Sequence, residues 1–399
     1  MNNKYKIIAG IIVVMMIYVS CSKVLPGSPD DDEVLDGPLA GLTSAEIRMF
    51  ISGDIAFNDE IFTRANGLGP LFVATSCGTC HAGDGKGHPF TTLTRFGQSD
   101  TLGNTFLHLG GPQLQHQSVF GFTAESLPAG ATFSKFTPPA NTGLGFIEAV
   151  PDALILSLAD ENDTNGDGIS GRPNWISLPS YSAIRTGTVT RNGKYIGRFG
   201  KKASVFDLLQ QTVNAYNQDM GINSTYEHIN TLNGQVADPE VSNQTVQDVV
   251  FYLQTLKAPV QRNKDEADVV AGRQLFSVAG CDKCHTPSLT TGPSPVAALN
   301  NKTFFPYTDL LLHDMGSSLD DGYTEGTALT SEWRTPPLWG LGLSQNSQGG
   351  QIFLMHDGRA RSYEEAINMH GGESATSRSK FQQLNLVEKE KFLQFLKSL

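Results

Sequence analysis

The sequence predicts a mainly α-helical chain of two tandem modules, with long loops and a small β-hairpin, and three observations carry that expectation. The pentapeptide C-x-x-C-H occurs twice, as Cys77-Gly-Thr-Cys80-His81 and Cys281-Asp-Lys-Cys284-His285. A stretch with helical apolar spacing leads into each copy, and downstream Phe395-Leu-Lys-Ser-Leu399 echoes Tyr252-Leu-Gln-Thr-Leu256. Between motif and closing segment, both halves carry Thr-Pro-Pro followed by Gly-Leu-Gly, at 137–145 and 335–342.

C-x-x-C-H is the attachment signature of a c-type haem, in which both thiols become thioethers and the adjacent His supplies the proximal iron ligand. A zinc ribbon would hold its two thiolate pairs close in sequence and would leave His81 and His285 unexplained. A thioredoxin-like motif needs a βαβ setting that the pattern lacks. Two motifs in a chain with only five cysteines therefore predict two covalently bound haem c groups, one on Cys77, Cys80 and His81, the other on Cys281, Cys284 and His285. A leading helix, a haem motif and a closing helix make the cytochrome c plan. The expected fold is thus two cytochrome c-like domains, residues 44–258 and 259–399.

At the N-terminus, Lys4 and Lys6 precede an apolar run from Ile7 to Val19 that is short for a membrane span and suited to a signal-peptide core. Residues 1–20 are expected to be a lipoprotein signal peptide, because the run ends at Tyr18-Val-Ser-Cys21, similar to a lipobox in which Cys21 is lipidated. An uncleaved anchor is the alternative. Residues 21–43, with Pro26, Gly27, Pro29 and the acidic run Asp30 to Glu33, read as a flexible tether. Haem c is attached outside the inner membrane, so export signal and motifs agree on an extracytoplasmic bacterial lipoprotein, facing the periplasm or on the outer-membrane surface. A net charge of -11 argues against nucleic acid and favours a neutral or basic small redox donor such as a cytochrome. Membrane contact is expected through the lipid anchor only.

Thr43-Ser-Ala-Glu46 is a capping box opening a helix to about Arg64. His88, His108 and His116 lie within sequence reach of the first iron and are candidate sixth ligands. Glu148, ending Gly143-Leu-Gly-Phe-Ile-Glu148, is the candidate catalytic residue: a carboxylate among apolar neighbours has a raised pKa and can shuttle protons. A cap or surface carboxylate is the alternative. Asp163, Asn165 and Asp167 alternate as in the first half of a calcium loop, although Asn174 stands where the closing Glu belongs. Calcium or an Asx-rich turn accounts for that pattern. Asn192-Gly193 predicts a hairpin within 186–197. Helices are expected from Ser204 to Met220, from Val246 to Leu256 and from Asp268 to Phe276, with Pro259 marking the domain boundary.

Several segments carry a family resemblance: Pro306-Tyr-Thr-Asp-Leu-Leu-Leu-His-Asp-Met-Gly316, Trp333-Arg-Thr-Pro-Pro-Leu-Trp-Gly340, His356-Asp-Gly-Arg-Ala360 and Glu364-Glu-Ala-Ile-Asn-Met-His-Gly-Gly-Glu373. With Asp167-Gly-Ile-Ser-Gly-Arg172 and Gly197-Arg-Phe-Gly200, the chain over nearly all of 44–399 resembles the di-haem oxidoreductases once called thiol oxidoreductases. More distantly it is similar to the bacterial di-haem cytochrome c peroxidases. In those peroxidases the sixth ligand of the second haem lies fourteen residues past the His of His-Asp-Gly, and counting from His356 gives His370. The peroxidases usually have Met there, so the resemblance implies bis-histidine ligation by His285 and His370 and a lower potential. Met369 and Met315 are the runners-up. Their distal Trp-Asp-Gly-Arg element has no counterpart after Thr137-Pro-Pro139, so no peroxidase residue carries over to the first pocket.

The function expected is peroxidase-like oxidoreduction. A second haem with both axial positions filled would store electrons, and a first haem on His81 would keep or acquire an open side for peroxide or another small oxidant. Trp339 and Arg334 are candidates for an electron relay and a propionate partner. A non-catalytic electron-transfer cytochrome and a redox partner in surface iron acquisition are the alternatives. Thiol oxidation has no support, since no cysteine is left over.

Overall fold

The computed structural model describes residue 30 and residues 32–98 and 102–399. The expected signal peptide and Cys21 lie outside them. Contacts divide the chain into Met1–Val34 and a compact unit, Leu35–Leu399. In the first, Glu33 N donates to Asp30 O (2.9 Å) in a turn. All that follows concerns the second.

Helix α1 (Ser44–Asp54) opens at the expected capping box, Thr43 Oγ1 accepting from Glu46 N and Glu46 Oε2 from Thr43 N. It passes into a π-helical turn, Ile55–Asp59, and stops at Glu60, short of Arg64, because the wider turn hands the last amide to Ile55 O and Glu60 goes extended. Helix α2 (Leu208–Asn214), capped by Asp207, runs likewise into a π turn, Ala215–Asp219. Such turns often mark functional sites. Helix α3 (Asn243–Thr255) closes the first half; α4 (Ala267–Ala279) leads the second, α5 (Tyr363–Asn368) follows, and α6 (Leu386–Ser398) closes it.

The sequence echo is a packing repeat. Gly53 of α1 lies where a Cβ would come within 2.0 Å of Asp248 O in α3, and Gly272 of α4 where a Cβ would come within 2.0 Å of Lys391 O in α6. Glycine lets each leading helix touch the backbone of its closing helix. The Gly-Leu-Gly segments repeat as well. Gly143 N donates to Leu256 O (3.3 Å) and Gly340 N to Leu399 O (2.7 Å), so each caps the end of its own closing helix.

Strands are short. β1 (Trp175–Ile176), β2 (Thr190–Arg191) and β3 (Lys194–Ile196) form a sheet in the order β1-β3-β2. The β2–β3 turn is the expected Asn192-Gly193 pair, both at positive φ (52 and 71°), as a two-residue type I′ hairpin requires. β4 (Leu312–Asp314) pairs antiparallel with β5 (Glu332–Arg334).

Two expectations about organisation need correction. The segment from Leu35 is not a free tether as far as Thr43: Leu35 is buried, Leu39 N donates to Thr255 O (2.7 Å) and Lys257 N to Gly37 O (3.0 Å). Pairing with the end of α3 satisfies backbone groups that a tether would leave to water. Nor do the halves separate at 258/259. Leu289, Leu299, Phe304, Leu311 and Trp339 join the main core of the first half, beside Phe146, Ile147 and Val249. Trp339 fills the space over Gly143, where a Cβ would meet its ring at 2.7 Å.

Candidate functional site

Both C-x-x-C-H motifs fold alike. Cys77–Cys80 form one helical turn capped by Ser76, Cys281–Lys283 form a 3-10 turn, and His81 N and His285 N each donate to the carbonyl of the first Cys at 3.0 Å. Each turn therefore aims two thiols and an imidazole into the same space. That space is a cavity of about 430 Å³ whose wall includes Cys77, Cys80, His81, Cys281, Cys284, His285 and His370.

The imidazoles are held as metal ligands are held. His81 Nδ1 lies 3.0 Å from Pro139 O, His285 Nδ1 3.0 Å from Tyr307 O and His370 Nδ1 2.8 Å from Ala366 O. A carbonyl only accepts, so each Nδ1 carries the proton and each Nε2 keeps its lone pair. Burial pushes His81 down to about 4, the Pro139 carbonyl opposing and the nearby Lys201 adding to it. Burial likewise pushes His285 to about 4, with His370 the next contributor, and lowers His370. The three are neutral at pH 7, the state that binds iron. His370 is placed by its helix: Ser362 caps α5 by accepting from Glu365 N (3.1 Å), and Gly371-Gly372 turn the chain away after it.

Burial also pushes Cys77, Cys80 and Cys281 up to about 12 and raises Cys284. Thiols so far from ionising are poor nucleophiles and poor redox centres. All four are free.

Around the cavity sit cations with too few counter-charges. Lys86 Nζ donates to Met355 O (2.9 Å), Arg334 Nε to Gly200 O (2.9 Å), and Lys201 also lies in the wall. Burial lowers Lys201 well below the usual lysine range, Lys86 and Arg334 adding to the effect and Asp357 opposing it. Burial pushes Lys86 to about 7 and Arg334 to about 10. Half-buried positive charge without an ion-pair partner is costly, so this wall suits a ligand with carboxylates. Two thiol pairs, three imidazoles with free Nε2 and an uncompensated cationic rim fit haem and its propionates.

Several expected residues stand elsewhere. Glu148 is outside the cavity wall: its Oε1 accepts from Leu208 N (2.8 Å) and its Oε2 from Gln254 Nε2 (2.7 Å), so it ties the start of α2 to α3. His108 and His116 are exposed, and His88 accepts from Phe90 N (3.1 Å) between the rings of Phe90 and Phe353; none of the three is in the wall. Asp163, Asn165 and Asp167 form an Asx turn. Asp163 Oδ1 accepts from Asp167 N (2.9 Å) and Gly168 N (3.1 Å), Asn165 Oδ1 accepts from Asp167 N (2.9 Å), and Asp167 Oδ2 meets Lys283 Nζ at 2.8 Å. A lysine ammonium on that carboxylate competes with a cation.

Others were missed. Asp219, at the end of the π turn, is in the wall beside the first motif; Gln113 Nε2 donates to its Oδ1 (2.7 Å), and burial pushes it up to about 7 despite Arg95. Trp333 stacks on His356 (3.7 Å between centroids, 12° between planes), and both line the cavity with Trp339. No single-residue pattern marks Asp219; the His-Asp-Gly element did mark His356. Among the described residues one group of three metal-type side chains comes together, Cys284, Asp309 and His313. His313 there is held by Asp309 (2.8 Å) and Glu373 (2.7 Å), and Cys284 belongs to the motif.

No curated protein sequence matches the chain. A solved structure of a Kuenenia stuttgartiensis hydrazine synthase, pressurized with xenon, is similar at 14% identity over 94% of this chain and 98% of that one, with a TM-score of 0.40, too low to bear on fold or function. A family model described as "Di-haem oxidoreductase, putative peroxidase" matches residues 135–399, which takes in the second motif, His370 and most of the cavity wall. The chain belongs to the di-haem oxidoreductase family.

Proposed function

We propose that this chain is an exported, lipid-anchored oxidoreductase carrying two covalent c-type haems, one for electron storage and one for a small oxidant of the peroxide class. The observation that carries the reading is that one cavity gathers two C-x-x-C-H motifs and His370, every imidazole presenting a free Nε2. Bound haem would supply one-electron redox chemistry and a place for the oxidant.

The chain's own residues divide the work. His285 and His370 would hold the second haem between them, which would exclude substrate there. His81 would hold the first. Arg334, Lys86 and Lys201 would hold the carboxylates of the cofactor and be neutralised by them. Trp333 on His356, and Trp339, give the wall aromatic surface suited to passing electrons between the halves. Proton handling falls by position to Asp219 in place of Glu148: its carboxyl is in the wall, one oxygen is fixed by Gln113, and it stands within reach of a molecule bound in the first pocket. The donor is a small redox protein such as a cytochrome. The Asx loop at Asp163–Gly168 is read as structural, and chelator treatment that leaves thermal stability unchanged is the expected result.

The purified protein, given peroxide and a reduced cytochrome, is expected to turn over saturably, with turnover lost on His81→Ala. A protein that merely oxidises its own two haems once, with no turnover, refutes the enzyme reading.

A further inference from the structure

We infer that the Met220 thioether is the sixth ligand of the iron held by His81, so that the first pocket is capped at rest and opens when the sulfur leaves. This deepens the proposed function and rests on it. The inference comes from the internal repeat. In each half a helix between motif and closing helix delivers a side chain and is then stopped by glycine. In the second half α5 ends at Asn368, Met369 caps it, His370 enters the cavity wall, and Gly371 and Gly372 follow. In the first half α2 and its π turn end at Asp219, Met220 enters the same wall, and Gly221 (φ 65°) follows, its Cα packed against Gly69 so closely that a Cβ on Gly69 would lie 2.6 Å from it. Aligned on the glycines, Met220 stands where His370 stands.

The surroundings agree. Met220 is 2% exposed and belongs to the core cluster that packs on Cys77, with Phe57 and Tyr216. Its carbonyl accepts from Gly69 N (3.0 Å), fixing the backbone. The other histidines and methionines in the wall are committed or lie with the other half, and Tyr216 and Lys201, also in the wall, are the competing ligands that the test distinguishes. His313 is held by Asp309 and Glu373, and His356 Nε2 by Asp321 (2.8 Å). Met315 Sδ accepts from Ser374 Oγ (3.9 Å), beyond His370 in the chain. Met355 packs with the second-half core and with the cluster that includes Phe136, and its carbonyl accepts from Lys86 Nζ (2.9 Å). A thioether is a weaker, softer ligand than imidazole and raises the potential. The first iron would therefore sit at higher potential than the bis-imidazole iron, and its cap is the one an oxidant can displace.

The test uses the full-length holoprotein and reads spectra rather than turnover. Expected for the natural protein are a methionine-to-ferric-iron charge-transfer band and two low-spin ferric signals. The volume-conserving variant Met220→Leu should lose that band, turn one of the two irons high-spin, lower that iron's potential and bind carbon monoxide faster when reduced. Met220→His should restore low spin at a lower potential than the natural protein. A natural protein without the band, or a Met220→Leu variant with unaltered spectrum and potential, overturns the inference while leaving two attached haems and the proposed function standing. Fewer than two attached haems in the natural protein would overturn both.

Discussion

His370 shows how much one side chain decides. Its ring is fixed by Ala366 O, it shares the cavity wall with His285 and acts on that imidazole electrostatically, and Gly371 and Gly372 follow it. Replacing it by alanine is expected to leave the second haem attached, since both thioethers remain, and to convert that haem from low to high spin, as read by electron paramagnetic resonance. For Asp219→Asn, with shape and Gln113 contact largely kept, peroxide turnover is expected to fall by roughly 10²–10⁴-fold, the usual worth of a placed proton donor, with both haem spectra unchanged. The sequence reading put the acid at Glu148 because that residue ends an apolar run. Tertiary structure overrode it: Leu208 N and Gln254 Nε2 take both carboxylate oxygens, and neither partner is near Glu148 in sequence. Counting from His356 brings out His370 as a candidate without tertiary knowledge, and the structure puts it in the cavity wall; Asp219 joins that wall only once α2 is seated against the first motif.

Among the elements, the paired helices explain why the glycines in the motif-bearing halves are where they are. Gly53→Ala and Gly272→Ala would each place a Cβ within 2.0 Å of a backbone carbonyl, forcing α1 off α3 or α4 off α6. Each is expected to cost about 1–3 kcal/mol, seen as a lower denaturation midpoint of the holoprotein; equal stability would mean the crossings are looser than described. A second element-level link joins the loops of the two halves. Arg95 pairs with Glu325 (2.5 Å), and Tyr323 OH donates to the same oxygen (3.0 Å). Burial is the largest influence and works against the Glu325 charge, yet the Arg95 charge and hydrogen bonds from Ser204, Tyr323 and Arg95 together outweigh it and leave the carboxyl below the usual glutamate range. A carboxyl depressed on folding contributes stability above its unfolded pKa, about 4.5, and loses it as pH falls through the folded value. Glu325→Gln is therefore expected to flatten the acid limb of the stability curve below that pH and to destabilise the protein at neutral pH. Helix starts at capping residues and the Asn192-Gly193 hairpin were legible, being local chemistry. The π turn that ends the first helix at Asp59 was not, while the turn after α2 runs on to Asp219, beside the expected end at Met220.

At the scale of the whole molecule, the halves are repeats that share one interior. The repeat was readable in the duplicated C-x-x-C-H, Thr-Pro-Pro and Gly-Leu-Gly segments. Their fusion was not, because Trp339 over Gly143 and Phe304 against Phe146 (5.2 Å) are long-range contacts with no sequence signature. Both motifs line one cavity, so haems held by them would lie together, each with wall residues from both halves. Among the described residues no helix is long and apolar enough to cross a membrane. The proposal that Cys21 anchors the chain is checked by lipid-specific labelling, expected on the natural protein and absent from Cys21→Ala. Everything else depends on the two motifs holding covalent haem together. Intact-mass measurement of the mature protein, made in a host that matures c-type cytochromes, tests this most directly: the account predicts the polypeptide mass plus two haems, unchanged by denaturation, and a mass showing one haem or none contradicts it.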